Sequence, residues 1–334
     1  MRKSWLGVLM SGLMLCLITS EVALAAGTPA VPALRFGVGG RASGMGEAFA
    51  GLADDAEAIF YNPAGLSHLK KREFIGVYSP LPVEGGEDSD MSQIYLAYAH
   101  PFHKWGTLGV GIFRMNVGEI ETNDEYDPIT GQYKNLSVID IYEDTYILSY
   151  SYPLMEELFM GINGKYIYSH LGENFAGKAG ALDLGLLWHT PLKGLAIGVN
   201  WENEGEEMRY EDEPQSDPLP GNLRYGFSYK AWEDKNNRVI VAGDINKYQV
   251  EDRVPINFGI EWDIADSLFV RLGYFNKDGR FDGLKWEKAE SQEDRKGSTW
   301  GFGLKYGSFQ FDFASVPGGG PYERISRAAL SASF

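Results

Sequence analysis

Hydrophobic and polar residues alternate one by one through much of this chain. Ile256, Phe258, Ile260 and Trp262 interleave with Asn257, Gly259, Glu261 and Asp263. Leu223, Tyr225, Phe227 and Tyr229 interleave with Arg224, Gly226 and Ser228, and Trp300, Phe302, Leu304 and Tyr306 with Gly301, Gly303 and Lys305. A period of two predicts strands with one apolar and one polar face. Fourteen such segments are predicted, near 74–82, 91–99, 105–117, 139–152, 158–171, 178–189, 194–202, 221–230, 236–247, 254–263, 267–275, 297–306, 307–315 and 324–334. A soluble sandwich would turn the apolar face inward; an outer-membrane barrel would turn it toward lipid. Many segments run about nine to eleven residues, enough for a tilted strand to cross the hydrocarbon, whereas sandwich strands average nearer five or six.

The connections alternate in length as well. Short links at His100–Lys104, Pro153–Glu157, Thr190–Lys193, Ala231–Lys235, Ile264–Asp266 and Gly307-Ser308 separate longer loops at Val83–Asp90, Gly118–Val138, Asn203–Pro220, Asn276–Lys296 and Val316–Glu323. Short periplasmic turns and long outer loops mark a barrel, and an even strand count closes it with both ends on one side. On that topology the even strands finish at Tyr152, Trp188, Tyr229, Trp262, Tyr306 and Phe334, one aromatic girdle at headgroup level. The chain ends Ala-Leu-Ser-Ala-Ser-Phe, and alternation up to terminal Phe334 resembles the signal that barrel assembly machinery reads. The fold expected is all-β: a transmembrane antiparallel β-barrel of about fourteen strands.

Before the first strand the period changes. Met45, Phe49 and Leu52 sit three or four apart and predict a short helix. Asp54 with Glu57 three later reads as a capping box opening Asp55–Phe60. Asn62-Pro63-Ala64-Gly65 suits a type I turn, with Pro63 presetting the second corner. A barrel this wide is not filled by its own side chains, so a Gly- and Ala-rich segment beside it is expected to plug the lumen. Gly44, Met45, Gly46, Phe49, Asp54, Asp55, Ile59, Phe60, Asn62, Pro63 and Gly65 are the candidate plug and gating residues.

The same stretch carries a family resemblance. Gly44-Met45-Gly46, Ala53-Asp54-Asp55-Ala56 and Tyr61-Asn62-Pro63-Ala64-Gly65-Leu66 resemble the N-terminal signature of FadL-like outer-membrane proteins. The Gly-Arg-Ala-x-Gly-Met-Gly opening is most similar to the PorV/PorQ branch. The resemblance implies a fourteen-stranded barrel with an N-terminal plug. It also implies one of two roles: passage of hydrophobic molecules, or handling of protein cargo in a secretion system.

At the start of the chain, Arg2 and Lys3, the apolar run Trp5 to Ile18 and Ala23-Leu24-Ala25 predict an export signal cleaved near Ala25. That run is shorter than the roughly 18–20 residues of a spanning helix, and no later run reaches it. The expected organisation is signal peptide 1–25, lumenal plug segment 26–68 and barrel 69–334, in the cell outer membrane. A formal charge of −16 excludes a nucleic-acid partner, and a single cysteine, within the signal, excludes a disulfide framework.

Catalytic signals are weak, and no enzyme or cofactor is expected. The Gly37–Gly46 cluster lacks GxGxxG spacing, and no GxSxG occurs. Among His68, His100, His103, His170 and His189 only His100/His103 have metal-like spacing, which a polar turn explains better. Asn276, Asp278 and Asp282 around Gly279 faintly resemble a calcium loop but suit a turn equally. The acidic block Glu202–Asp217 reads as a solvated outer loop. Strand parity sends Asn163, Lys165, Asp183, Asn200, Arg224, Asp244, Glu261, Arg271, Lys305, Asp312 and Arg327 into the lumen, and both charge signs predict internal ion pairs rather than an open single-sign pore. The leading expectation is passive, plug-gated passage of hydrophobic small molecules. The alternative is a PorV-like protein-binding component of an outer-membrane secretion system. Partners beyond lipid and the assembly machinery are therefore a hydrophobic molecule or secretion proteins.

Overall fold

The computed structural model describes residues 29–82, 91–127, 132–172, 175–211, 216–250, 254–276, 280–282, 285–287, 296–318 and 324–334. The export signal, Asp212 and Glu213 of the acidic block, and Asp278 and Gly279 of the calcium-like loop lie outside these residues.

Fourteen long antiparallel strands close into one barrel: β1 Glu73–Pro80, β2 Ser92–Pro101, β3 Thr107–Asp127, β4 Gln132–Pro153, β5 Leu158–His170, β6 Ala176–His189, β7 Leu195–Gly205, β8 Asn222–Glu233, β9 Asn237–Tyr248, β10 Ile256–Ile264, β11 Leu268–Asn276, β12 Lys296–Tyr306, β13 Phe309–Val316 and β14 Ile325–Ser333. Each pairs with its neighbours in sequence, and β1 pairs with β14 in the register Glu73↔Ser333 to Tyr78↔Ala328. The seam continues one step further, because Arg72 and Phe334 exchange backbone hydrogen bonds of 3.1 and 3.0 Å. Among the described residues closure leaves no unpaired barrel edge, the condition for strands in hydrocarbon. The all-β barrel expected from the alternation is thus the fold observed, and it is that of an outer-membrane protein.

The pleat sorts the side chains. Leu96, Val110, Ile112, Leu148, Leu184, Ile260, Leu272, Trp300 and Leu330 are exposed on the outer wall, an apolar surface suited to acyl chains. At the expected girdle Tyr152, Tyr229, Trp262, Tyr306 and Phe334 are exposed, while Trp188 is half-buried.

Three loops depart from expectation, the simplest being Asn276–Lys296, in which Arg280–Asp282 pairs with Lys285–Glu287. The described residues of the span Gly118–Val138 are strand rather than loop. After a bulge between Asn116 and Gly118, β3 and β4 continue pairing up to Asp127↔Gln132, so a hairpin carries the ladder beyond the apolar band. The Asn203–Pro220 loop contains two short strands: Met208–Tyr210 pairs with the start of β6 at Gly177 and Lys178, and Ser216–Asp217 pairs with Met208 and Arg209. Polar side chains do not oppose a β ladder in water, so the loss of apolar alternation marks the membrane edge rather than the strand end.

Candidate functional site

Residues 29–69 precede β1 and lie against the inner faces of the strands; almost every side chain from Ala30 to Leu66 is buried. The expected helix on Met45, Phe49 and Leu52 does not form. The helical turn is α1, Arg41–Gly44, which ends because Gly46 (φ +65°) and Glu47 (φ 61°) are left-handed. Gly46 is forced there by the wall: a Cβ would stand 2.6 Å from the Phe258 carbonyl oxygen. The capping box is also absent. Asp54 pairs with Arg41, the Glu57 N–H donates to Asp55 Oδ1 at 2.9 Å, and the next helix, α2, is Ala58–Tyr61. The Glu57 carboxylate instead accepts from the Arg41 and Ala42 N–H groups at 3.2 and 2.8 Å, capping α1.

Asn62 opens a 3-10 helix, Pro63–His68. Its Oδ1 accepts from the Ala64 N–H at 3.2 Å, and its carbonyl from the Gly65 N–H at 3.0 Å. The Asn62 Nδ2 donates to the Ala50 carbonyl at 2.8 Å and to Leu186 of β6 at 3.1 Å, so one side chain ties two plug segments to the wall. Gly65 packs so closely that a Cβ would meet the Ala53 carbonyl at 1.7 Å. Gly65→Ala is therefore expected to displace the turn and to lower the folded protein's resistance to protease within the plug. Unchanged digestion would show that the contact relaxes freely.

The wall is carved to receive this segment. Inward Gly161, Gly185, Gly198, Gly226, Gly259, Gly273 and Gly301 leave the strands without side chains where Ala64, Asn62, Ala50, Met45, Gly46 and Gly44 approach. Two of these glycines face each other across β5 and β6, two across β7 and β8, and two across β10 and β11. Sequence reasoning credited the plug's small residues and missed those of the wall, although Gly198, Gly226, Gly259 and Gly301 all fall on the inward parity of their strands.

Around these contacts runs a buried polar network. Glu261 of β10 accepts two hydrogen bonds from Arg41, at 2.8 and 2.9 Å, and one from Arg271 of β11 at 2.7 Å. Arg271 also pairs with Asp312 of β13. Arg327 of β14 meets Ser43 at 2.5 Å and Glu47 at 3.4 Å. Arg224 of β8 pairs with Glu202 at 2.8 Å, and Asp244 of β9 accepts from the Phe49 and Ala50 N–H groups at 2.9 and 3.0 Å. On the other side Lys165 pairs with Asp183 at 2.8 Å, Asn163 donates to the Ile59 carbonyl at 2.9 Å, and Asn200 to that of Tyr61 at 3.0 Å. Lys305 does not join them. It sits at the periplasmic rim, 2.8 Å from Asp266 of the β10–β11 turn, because the strand ends there.

The lumen is less polar than parity suggested. Val31, Leu34 and Val38 belong to one buried apolar cluster with Leu81, Tyr95, Met115, Met208, Leu219, Phe275, Val316 and Ile325. Leu81, Met208, Leu219, Val316 and Ile325 lie at or beyond the outer strand ends, and the same cluster runs down the lumen through Phe49, Ile59 and Phe60 to Leu66 and Leu69. The plug's first segment reaches the outer end: the Ala30 N–H donates to Pro218 of the outer loop at 2.9 Å, and the Ala33 N–H to Glu143 at 3.2 Å. Phe49, Ile59 and Phe60 are buried lower down; Phe60 lies edge-on to Tyr61 and Tyr95, with ring centroids 5.3 and 6.2 Å away.

At the periplasmic end two cavities remain open. One of about 420 Å³ is lined by Arg41, Asp54, Asp55, Glu73, Lys305 and Asp312 among others. The second, about 400 Å³, is lined by Leu52, Asp54, His68, His189 and Arg238. Burial, and then the adjoining His189 ring, hold the His68 imidazole below its ordinary value.

No protein-family model and no curated sequence matches the chain. Solved structures of similar fold do. The Pseudomonas putida toluene transporter TodX superposes with TM-score 0.56 at 12% identity over 94% of this chain and 99% of that one. The CymD monoaromatic hydrocarbon channel gives 0.56 at 13% over 89% and 98%. A Pseudomonas aeruginosa FadL homologue gives 0.50 at 10% over 89% and 98%. At such identities the likeness is one of fold alone, that of an outer-membrane β-barrel.

Proposed function

We propose that the chain is a passive outer-membrane conduit for hydrophobic small molecules, gated by its N-terminal segment. One observation carries the reading: at the outer end of the lumen the chain's own Val31, Leu34 and Val38 pack against apolar wall and loop residues. An apolar ligand entering from outside would compete for the same surface, and the open cavities near Asp54 and His68 would receive it on the periplasmic side. Proteins described as monoaromatic hydrocarbon channels share the fold, which supports an apolar cargo. Flow would be downhill.

A second reading, a PorV-like component of a secretion system, draws on two features. The PorV/PorQ-like opening Gly40–Gly46 is pinned to the wall through Arg41, which suits a permanent plug. The β3–β4 hairpin also projects beyond the membrane, where protein cargo could dock.

Deleting residues 42–60 is expected to leave the barrel inserted, since its ladder closes without them, and to raise uptake of a hydrophobic fluorescent probe into cells. Uptake equal to that of a strain lacking the protein, with and without the deletion, would reject transport. Loss of surface cargo in that strain would then favour the secretion role.

A further inference from the structure

We propose that His68 and His189 form a two-histidine site for a divalent transition metal that pins the plug to the barrel wall at the periplasmic mouth. The residues lie 121 positions apart, one ending the plug's last helical turn and the other ending β6. Their Nε2 atoms stand 3.0 Å apart. Two nitrogens bound to tetrahedral zinc at about 2.0–2.1 Å stand about 3.3 Å from each other, so a shift of a few tenths of an ångström admits the ion.

The surroundings orient the rings for this task. The His68 Nδ1 lies 3.1 Å from the Gly65 carbonyl oxygen. A carbonyl only accepts, so Nδ1 carries the hydrogen and the Nε2 lone pair faces His189. A backbone carbonyl holding the far nitrogen is the usual support of a metal-binding histidine. Phe159 packs against both rings, with centroids 4.5 Å from His68 and 5.4 Å from His189. The His189 N–H donates to the Glu157 carbonyl at 2.8 Å, fixing the strand end.

Among the described residues no three His, Cys, Asp or Glu side chains converge on one metal position, so water completes the coordination. The adjoining cavity of about 400 Å³ supplies room for it; Asp54 shares the lining but is paired with Arg41. Two cations, Lys230 and Arg238, share that lining but are paired with Glu233 at 3.7 Å and Asp263 at 2.8 Å.

The bound ion would bridge the plug's hinge into β1 and the wall, slowing release of the plug. This consequence concerns where the plug sits, not what the barrel carries, so failure of the transport reading would leave it standing. The test is Zn2+ titration of the full protein in detergent, with hydrogen exchange of the Ala58–His68 amides. One Zn2+ per chain is expected, bound at least about tenfold more weakly by His68→Gln and by His189→Gln, with exchange of those amides slowed by zinc only in the parent. Heat-modifiable migration confirms that each variant barrel is folded. Zinc affinity unchanged in the two variants, as binding to the acidic outer loops would give, overturns the site. Slowed exchange absent despite histidine-dependent binding overturns the latch.

Discussion

Glu261→Gln is expected to unseat the plug while the barrel stays in the membrane. The Glu261 carboxylate is fully buried and serves Arg41 of the plug and Arg271 of the wall together. Removing one member of a buried pair costs about 3–5 kcal/mol, chiefly because the remaining charge is left uncompensated. Here each cation retains a partner, Arg41 in Asp54 and Asp55 and Arg271 in Asp312, so the lower end of that range applies. The loss falls on the plug, since the β10–β11 ladder from Ile256↔Asn276 to Ile264↔Leu268 is backbone-made and unaffected. Hydrogen exchange in Arg41–Tyr61 should rise strongly while that of the strands holds, and heat-modifiable migration should persist. Exchange at parental rates would mean that the remaining hydrogen bonds, ion pairs and glycine contacts hold the plug without Glu261.

The barrel was legible because its determinants are local. A strand announces itself by period two, and lipid demands that period across the whole membrane thickness; hence the Ile256–Trp262 alternation predicts β10 to within a residue or two. The hairpin on β3 and β4 was not legible, because outside the membrane a ladder needs no apolar face. The plug was legible as a composition but not as a conformation. Met45, Phe49 and Leu52 have helical spacing, yet the left-handed turn at Gly46 and Glu47 answers to β10 and β11, whose backbone lies within reach of any Cβ there. Parity turns Glu261 and Arg271 inward but does not give their partners, and it misplaces Lys305, which pairs with Asp266 at the rim. Nothing local tells that Arg41 meets Glu261, or His68 meets His189, since barrel closure alone brings them together.

Those long-range contacts divide the plug into two regions with different tasks. From Arg41 to Leu66 it is held by ion pairs, glycine contacts and hydrogen bonds to backbone carbonyls. From Ala30 to Val38 it is held by the apolar burial of Val31, Leu34 and Val38 and by hydrogen bonds that include the Ala30 and Ala33 N–H groups, Gln93 Nε2 to the Gly37 carbonyl at 3.1 Å and the Val38 N–H to the Tyr61 hydroxyl at 3.0 Å. Apolar burial is the only one of these holds that a hydrophobic ligand can replace in kind. Val31→Ala with Leu34→Ala is therefore expected to weaken this hold while the lower plug stays seated. Truncating a buried Leu to Ala costs about 2–5 kcal/mol, and the smaller Val truncation adds to it. Because residues 29–38 pack inside the barrel and are not part of its ladder, the cost is expected as their release, not as unfolding. Uptake of a hydrophobic probe should rise several-fold, and hydrogen exchange should rise in 29–38 without rising in Arg41–Tyr61. If exchange rises there but uptake stays at the parental level, that apolar surface is not on a transport route, and the permanent plug of the secretion reading is the better account.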